Sequence, residues 1–517
     1  MQRDRGAERS VVDHEVLPPT GRGDDFASQK VWLSGLVALF LVLYAVALWV
    51  WFRPDFIQNW RESDTQTIAV HLAEPGSSIF YPRIDWAGDS PGYVETEFQL
   101  YTWLASRIMK LTGPAEWPGQ LVSLLCVVST AWLVFTQLAA RYGGRAAAIG
   151  VGALVASRIV VQSATTVQPE ALCLLLFAAA WFAFQQYLDT KQRRWLAVYA
   201  VSGAVAMLVK PTAAQLGVAS FLLVVFDSRD TLRKRELWLA WAFMVGLFVI
   251  HLFHARSIYL EYGNTFGVLS GGDTKLPKLE QLLMPSLYVK AGINSLMWGL
   301  GPLGAAAVLA VLVQRRNVGA VAAFLVATAV WTILALRYTT KAGGNHYHVL
   351  GPVLAAQAIA QAIAQLPKLR WRPWAELGVA LAVAFVLQRS LSLRAWNRHN
   401  VYDAPAVEAA KALERHAKPG ELVVVRSVQP RYDTVWKTIS NFEDPRVFYM
   451  SHTRGWPVGS EIADPLGIDA AARAGARYYV EPLERESMPA FDAWLDSHAT
   501  LVETTGHGGK VYALIAP

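Results

Sequence analysis

Charged side chains of both signs, with a few polar ones, occur in four places between the apolar runs of this sequence. A carboxylate can take a proton from a hydroxyl group, and Lys or Arg side chains stabilise the charge that develops on a departing phosphate. The set therefore predicts group transfer, with a hydroxyl as acceptor and a phosphate as leaving group. Its members are Arg61, Glu62, Asp64, Arg83, Asp85, Asp89, Glu95 and Glu97; Arg158, Gln168 and Glu170; Lys210; and Arg337, Lys341, His346 and His348.

Simpler interpretations exist for each of these residues taken alone. A single charged residue in a loop is more often solvated than functional, and we interpret Asp85 and Asp89 in this way. Lys210 is equally compatible with a lysine that extends its ammonium group to the membrane interface. His346 and His348 are not accompanied by further histidine or cysteine ligands at a spacing typical of metal sites, so no metal site is predicted. No cofactor is indicated, and the sequence does not decide whether a divalent cation is needed.

The composition is that of a membrane protein with many spans. The chain has 517 residues, of which 54% are hydrophobic and only 17% are charged. This balance is too apolar for a soluble protein of that size. The net charge of +7 does not indicate a nucleic-acid partner, because the Lys and Arg residues occur in short clusters between apolar runs. Cys126 and Cys173 both lie in apolar runs and offer no disulfide framework.

About eleven apolar runs are long enough, or nearly so, to form membrane helices. The first follows a polar segment, residues 1–30, and lacks a cleavage site, which predicts a retained anchor. The runs are Val31–Phe52, Leu121–Ala140, Ala146–Val161, Ala171–Tyr187, Trp195–Val209, Thr212–Phe226, Leu237–Phe253, Gly292–Val313, Val318–Leu336, Val349–Ala364 and Ala375–Leu387.

The basic residues predict the orientation of these spans. Lys and Arg in short loops favour the cytoplasm, and every second connection is basic if residues 1–30 are cytoplasmic. The long connections, residues 53–120 and 254–291, then lie outside together with the charged segments. Ionisable residues are rare within the spans, with Arg158 and His251 as borderline cases near outer ends. Ion-coupled transporters usually carry such residues at membrane depth, so this sparsity disfavours that class.

Residues 392–517 have the composition of a soluble domain, which the odd number of spans places outside the membrane. Helices are predicted at Asp403–His416 and Gly467–Ala474, and strands at Glu421–Ser427, Val447–Met450, Arg477–Glu481 and Lys510–Ile515. This mixture predicts a small α/β domain, and it contains no glycine-rich phosphate loop. Residues 31–391 are predicted to form the membrane domain.

Several short motifs resemble those of bacterial GT-C glycosyltransferases, the superfamily of protein mannosyltransferases and aminoarabinose transferases. After the first span, Asp64 is followed by YPRID at Tyr81–Asp85 and ETEF at Glu95–Phe98. QPEAL at Gln168–Leu172 resembles the element that carries a second acidic residue. The other matches are VKPTA at Val209–Ala213, GGNHYHVLGPVLA at Gly343–Ala355, and FYMSHTRGWPV at Phe448–Val458 in the appended domain.

The resemblance implies an α-helical polytopic GT-C fold in the bacterial inner membrane and a polyprenyl-phosphate-linked sugar as donor. Asp64 would be the general base on the acceptor hydroxyl, with Glu97 as the alternative, and Glu170 would assist. The implied substrate-binding residues are Arg61, Arg83, Arg158, Lys210, Arg337, His346, Tyr347 and His348. The implied partners are membrane lipids and a glycan, lipid or protein acceptor, with no nucleic acid.

The sequence departs from the family pattern in ways that leave the sugar open. Thr65 follows Asp64 where the family often has Glu, and Glu170 stands where Asp is more frequent. Two other functions remain as alternatives, a flippase for lipid-linked glycans and a polymerase or ligase of surface glycans. A transporter would be expected to show internal repeats and broken helices, and the sequence shows neither.

Overall fold

The structure is a computed structural model. It describes residues 60–270, 276–340, 344–366, 378–379, 382–383, 385–386, 389, 404–433, 436–439, 442–461 and 464–515. Residues 1–30 and the first predicted span, 31–52, lie outside these ranges, as does most of the last predicted span, 375–387. The predicted total of eleven spans and the proposed domain boundaries therefore stay predictions.

Long apolar helices form most of the described chain. Two helices, α1 (Trp60–Ala73) and α2 (Leu100–Thr112), precede the apolar set. The helices that follow are the apolar ones together with two short polar helices, α10 and α14: α3 (Trp117–Tyr142), α4 (Gly144–Ala156), α5 (Arg158–Thr165), α6 (Glu170–Thr190), α7 (Arg193–Val209), α8 (Gln215–Asp227), α9 (Arg235–Tyr262), α10 (Leu279–Leu282), α11 (Pro285–Asn294), α12 (Gly301–Gln314), α13 (Gly319–Leu334), α14 (Leu336–Thr339) and α15 (Gly351–Gln365).

Four helical segments of the described ranges are long and apolar enough to cross a membrane, namely α3, α6, α9 and the continuous run Pro285–Gln314. The last contains a π-helical turn, Ser295–Leu300. The predicted span Ala146–Val161 is instead broken, because α4 and α5 meet at Ser157 with a bend of 64°. Helices α8 and α13 are apolar but shorter than a full span.

The helix predicted along the outer interface is shorter than expected. The sequence pattern predicts a helix over Tyr93–Lys110, but α2 begins at Leu100. Residues before it are extended, because the backbone of Glu95 exchanges hydrogen bonds with Asn264 and Phe266. The buried face of α2 carries Tyr101, Thr102, Ala105, Ser106 and Met109.

The C-terminal part is an α/β unit built on a five-stranded mixed sheet with the order β4-β1-β5-β7-β6. Strand β1 pairs in parallel with β4 and β5, and β7 pairs antiparallel with β5 and β6. The strands are β1 (Leu422–Arg426), β2 (Tyr432–Asp433), β3 (Thr438–Ile439), β4 (Arg454–Val458), β5 (Ala476–Glu481), β6 (Ala499–Thr504) and β7 (Lys510–Leu514). The helices are α16 (Ala404–Glu414), α17 (Arg446–Ser451), α18 (Pro465–Arg473) and α19 (Pro489–His498).

Most predicted elements of this unit are present, but the strand predicted at Val447–Met450 is wrong. These residues form α17, whose Val447 and Phe448 are buried. A run of four apolar or aromatic residues fits either a strand or one helical turn by periodicity alone. Strands β2, β3, β4 and β6 and helix α19 were not predicted.

The α/β unit packs directly on α1 and the segment that follows it. One hydrophobic core contains Ile68 and Leu72 of α1 together with Phe448 and Val425 of the α/β unit. Strand β4 adds backbone bonds, because Gly455 donates to Asp85 O at 2.8 Å and accepts from Gly88 N at 2.7 Å. The unit therefore packs on the C-terminal half of α1 and on the segment that follows it.

Candidate functional site

Helix α1 carries the first group of predicted site residues, and the helix is buried. Residues 62–67 of α1 are all less than 9% exposed, although each of them is polar. Burying polar side chains without partners is costly. Glu62 meets this demand by accepting a hydrogen bond from Val167 N at 3.1 Å, which ties α1 to the turn before α6.

Asp64 is buried, and only one of its two carboxylate oxygens has a hydrogen-bond partner among the described residues. Its Oδ1 accepts a hydrogen bond of 2.8 Å from the indole Nε1 of Trp86. Its Oδ2 has no hydrogen-bond partner among the described residues and is shielded from solvent. Burial raises the pKa of Asp64 well above its usual range, and the Trp86 bond and Arg61 oppose that rise only in part. A buried carboxylate oxygen without a partner is suited to accept a proton from a bound hydroxyl group.

Beside Asp64, four charged side chains lie together and form what we call the Glu170 group: Arg61, Glu97, Glu170 and Lys210. Arg61 lies one helical turn before Asp64, and its guanidinium is 3.8 Å from both Glu97 and Glu170. Lys210 Nζ lies 2.6 Å from Glu170 Oε1. The sequence places these residues on α1, the extended segment before α2, the start of α6 and the end of α7. Three of the helices and one loop therefore converge on one point.

Lys210 and Glu170 form an ion pair that is almost fully buried, with side-chain exposures of 3% and 1%. Burial lowers the pKa of Lys210, and the neighbouring Arg61 lowers it further, while Glu170 and Glu97 oppose the shift. The Lys210 ammonium also lies 5.6 Å from the ring centre of Tyr347. Lys210 is thus enclosed by protein, which disfavours the interpretation that it extends to the membrane interface.

Other predicted binding residues lie in contacts of their own. Arg83 pairs with Glu74 at 2.9 Å on the partly exposed surface, and no contact joins it to the Glu170 group within the described residues. The Arg158 guanidinium stacks over Trp298 of the π-helical turn, at 4.1 Å from the ring centre. Neither contact is with the Glu170 group.

The short helical turn Gly344–His348 contributes one residue, Tyr347, that directly contacts the Glu170 group. Tyr347 lies against Lys210, and its ring contacts that of His346 at 4.3 Å between ring centres, with the two planes tilted by 39°. Burial lowers the pKa of His348 to about 4, so His348 is a neutral imidazole near pH 7 and supplies no positive charge for an anion. His348 lies 3.4 Å from Ser295 Oγ of the π-helical turn.

Arg337 is buried and faces the α/β unit. Its Nη2 lies 3.8 Å from Asp433 Oδ2 and 3.5 Å from the backbone oxygen of Ile439. Both partners lie on the short hairpin of β2 and β3. The hairpin therefore reaches from the α/β unit to a predicted substrate-binding residue.

Sequence reasoning missed two residues that shape the site. Trp86 was not singled out, although its indole holds Asp64, and Asp433 was not recognised as a partner of Arg337. Trp86 directly follows Asp85, but no spacing rule links a loop tryptophan to a carboxylate 22 residues earlier. Among the described residues, no group of three or more His, Cys, Asp or Glu side chains is arranged to hold a metal ion.

Comparison with known proteins agrees with this architecture. A sequence profile of the dolichyl-phosphate-mannose-protein mannosyltransferase family matches residues 99–254. ArnT from Cupriavidus metallidurans in the apo state is 16% identical, with a TM-score of 0.59 over 95% of this chain and 99% of ArnT. The chain has the GT-C fold. The resemblance read from the motifs is thereby confirmed at the level of the superfamily fold.

Two further solved structures share the GT-C fold with this chain. ArnT bound to undecaprenyl phosphate is 15% identical, with a TM-score of 0.60 over 94% of this chain and 98% of ArnT. The Archaeoglobus fulgidus oligosaccharyltransferase in complex with zinc and sulfate is 12% identical, with a TM-score of 0.55 over 93% of this chain and 73% of its own length. No match to the chain is found among curated protein sequences.

Proposed function

We propose that this protein is a membrane glycosyltransferase that moves a sugar from a polyprenyl-phosphate donor to a lipid, glycan or protein acceptor. The observation that carries the proposal is the buried Oδ2 of Asp64, which has no hydrogen-bond partner among the described residues and lies next to Arg61 and the Lys210–Glu170 pair. The similar fold of an ArnT bound to undecaprenyl phosphate supports a lipid-linked donor.

In the proposed reaction, the acceptor oxygen attacks the anomeric carbon of the donor sugar. Asp64 takes the hydroxyl proton, a new carbon–oxygen bond forms, and the bond between the sugar and the phosphate breaks. The electron pair of that bond leaves with polyprenyl phosphate. Arg61 and Lys210 stabilise the added negative charge on the phosphate, as preorganised cations do in other transfer reactions.

Glu170 has a supporting part in this proposal. It lies 2.6 Å from Lys210 and 3.8 Å from Arg61, so it holds both cations in place before the donor binds. Fixed groups stabilise developing charge without the cost of reorganisation during the reaction. Glu97 contacts Arg61 at 3.8 Å and is the alternative base.

We place the site at the outer face of the bacterial inner membrane, with the N-terminus in the cytoplasm and the C-terminal unit outside. The alternating basic connections support this orientation. A reporter enzyme that is active only in the cytoplasm, fused after Pro517, should give no signal. A strong signal would show that a span was miscounted.

The test of the function uses purified protein in detergent with a polyprenyl-phosphate sugar and a hydroxyl acceptor. Transfer of the sugar with release of free polyprenyl phosphate supports the proposal. Movement of the intact lipid-linked sugar across a vesicle membrane, without release, would instead indicate a flippase. Activity only with diphosphate-linked donors would indicate a polymerase or ligase of surface glycans.

A further inference from the structure

His71 lies two helical turns after Asp64 on α1 and is bound by a carboxylate on each side of its ring. Its Nε2 is 2.8 Å from Asp85 Oδ1, and its Nδ1 is 2.8 Å from Glu74 Oε1. The side chain is 17% exposed. Nothing in the proposed reaction uses it.

This geometry requires a doubly protonated ring. Neutral imidazole carries one N–H donor and one acceptor nitrogen, whereas ionised carboxylates only accept. Two carboxylate contacts are therefore both satisfied only by the imidazolium form. Burial alone would lower the pKa of His71, but the bonds to Asp85 and Glu74 outweigh it and raise the pKa above the usual value.

The bond to Asp85 acts on the segment that holds the candidate base. Trp86 follows Asp85 directly, and its indole donates to Asp64 Oδ1 at 2.8 Å. Helix α1 thus binds Asp85 through His71 and Trp86 through Asp64. The backbone oxygen of Asp85 also accepts from Gly455 N, so the same pair is held by strand β4.

We propose that His71, as an imidazolium between Asp85 and Glu74, is a positioning residue that fixes Trp86 against Asp64 and so keeps Oδ2 of Asp64 directed at the acceptor. The proposal rests on the proposed role of Asp64 as the base. His71 itself touches neither substrate nor reacting atoms.

The other charged and titratable groups near His71 do not replace its two bonds. Arg83 binds Oε2 of Glu74 at 2.9 Å, whereas His71 binds Oε1. On α2, Arg107 donates to Leu72 O at 3.0 Å. On α17, burial raises the pKa of Tyr449 and keeps its hydroxyl neutral.

The sign of the pH dependence follows from the raised pKa of His71. The positioned state is complete below the ordinary His pKa of about 6.5 and is lost as the pH rises through the raised value. Turnover should therefore fall on the alkaline side. Lys210 can add its own alkaline decline, so the decline alone does not identify His71.

Three variants separate these contributions. In His71→Gln, kcat should fall about 10-fold or more, because small misplacement of a reacting group is costly, while the donor KM stays near that of the wild type. The part of the alkaline decline due to His71 should disappear. In the matched variant Glu74→Gln, maximal turnover should persist, and the decline should move to lower pH. In a Trp86→Phe background, the additional change His71→Gln should lower kcat little further.

A spectroscopic readout tests the link without turnover. In protein labelled with ¹⁵N-tryptophan, the indole signal that is missing in Trp86→Phe should shift with pH in wild type and stay fixed in His71→Gln. Three results would each overturn the inference. They are a wild-type pH profile of turnover in His71→Gln, additive losses of kcat in the double variant, and a Trp86 indole signal whose pH dependence is the same with and without His71. Failure of sugar transfer in wild type, with the Trp86 signal still coupled to His71, would instead count against the proposed function.

Discussion

At the scale of single residues, the surroundings of Asp64 are hard to explain by structure alone. Its neighbours on α1 are polar and buried, and one of its oxygens faces no donor within the described residues. A residue kept only for stability would be expected to pair both oxygens, because a buried polar atom without a hydrogen-bond partner is costly. Function is the simpler reason for such a residue.

Asp64→Asn should leave the protein folded and lower turnover by about 100-fold or more, because a positioned proton acceptor is lost. Asparagine keeps an oxygen that can accept from Trp86. Asp89→Asn is the matched control, because Asp89 is an exposed carboxylate in the segment between α1 and α2. Near-normal turnover of Asp64→Asn together with an inactive Glu97→Gln would transfer the role to Glu97.

The same variant should be more stable than wild type at neutral pH. Because burial raises the pKa of Asp64, the folded state favours the protonated form, so stability falls as the pH rises from the unfolded pKa through the folded one. Asparagine has no such dependence. Thermal unfolding in detergent should give a higher Tm for Asp64→Asn at pH 7.5, with the gap closing toward acid pH. An equal Tm across that range would show that Asp64 is not strained.

Two roles of the Lys210–Glu170 pair, stabilising the fold and binding the donor phosphate, can be tested separately. Lys210→Met should lower stability by about 3–5 kcal/mol, because Glu170 then stays buried without its near partner. The double variant Lys210→Met/Glu170→Gln should recover much of that stability, as measured by thermal unfolding. If Lys210 binds the donor phosphate, the double variant should remain inactive and bind the donor weakly. Recovery of activity would show that the pair serves packing alone.

At the scale of elements, the sequence predicts where apolar helices lie better than where polar segments turn. Apolar runs predicted α3, α6, α7 and α9 because a long apolar run has few alternatives in a membrane. The start of α2 was wrong because the bonds of Glu95 to a loop about 170 residues later are invisible to local periodicity.

In the candidate site, too, the sequence predicted some features correctly and others not. The residue types and motifs singled out Asp64, Glu170, Lys210 and Arg61, which the structure brings to adjacent positions. They also singled out Arg83, which pairs elsewhere. A charge pattern tells which residues could bind an anion, but the choice among them depends on how the loop folds back, which the sequence alone does not contain.

Glu95 should be the main anchor of the loop after α9. Its carboxylate accepts from Leu269 N, Ser270 N and Thr265 Oγ1 at 3.0, 3.1 and 2.7 Å. Glu95→Ala leaves these donors without that acceptor, at about 1–3 kcal/mol for each that stays buried. Amide hydrogen exchange at Leu269 and Ser270 should accelerate, while Asp89→Ala should leave it unchanged. Unchanged exchange in Glu95→Ala would mean that the backbone pairing holds the loop by itself.

At the scale of the whole molecule, the α/β unit and the C-terminal half of α1 share one hydrophobic core, and the unit makes several polar contacts with neighbouring segments. Ile68 and Leu72 of α1 pack with Phe448, Gly455 binds the backbone of Asp85, and the β2–β3 hairpin reaches Arg337. Removing the whole unit would therefore expose apolar surface next to the site. Deletion of residues 392–517 would mix a loss of packing with any loss of acceptor binding, so a smaller change is needed.

Gly88 offers that smaller change, because it lies where the loop meets the α/β unit. A Cβ at Gly88 would overlap the indole of Trp456 on β4, and its φ of +67° already disfavours a side chain. Gly76 has a similar φ of +76° with no atom near its Cβ position, so Gly76→Ala reproduces the backbone strain without the clash. Gly88→Ala should loosen the contact between β4 and the 85–88 segment.

If the α/β unit holds a large acceptor over the site, Gly88→Ala should reduce transfer to the natural acceptor more than hydrolysis of the donor by water. Gly76→Ala should change neither ratio nor rate appreciably, because it disturbs no contact of the unit. A disulfide or spin-label distance between the unit and α1 would report the loosening directly. Equal loss of both reactions in Gly88→Ala would indicate that the unit acts through the Asp85–Trp86 segment on Asp64, because that segment joins β4 to the base.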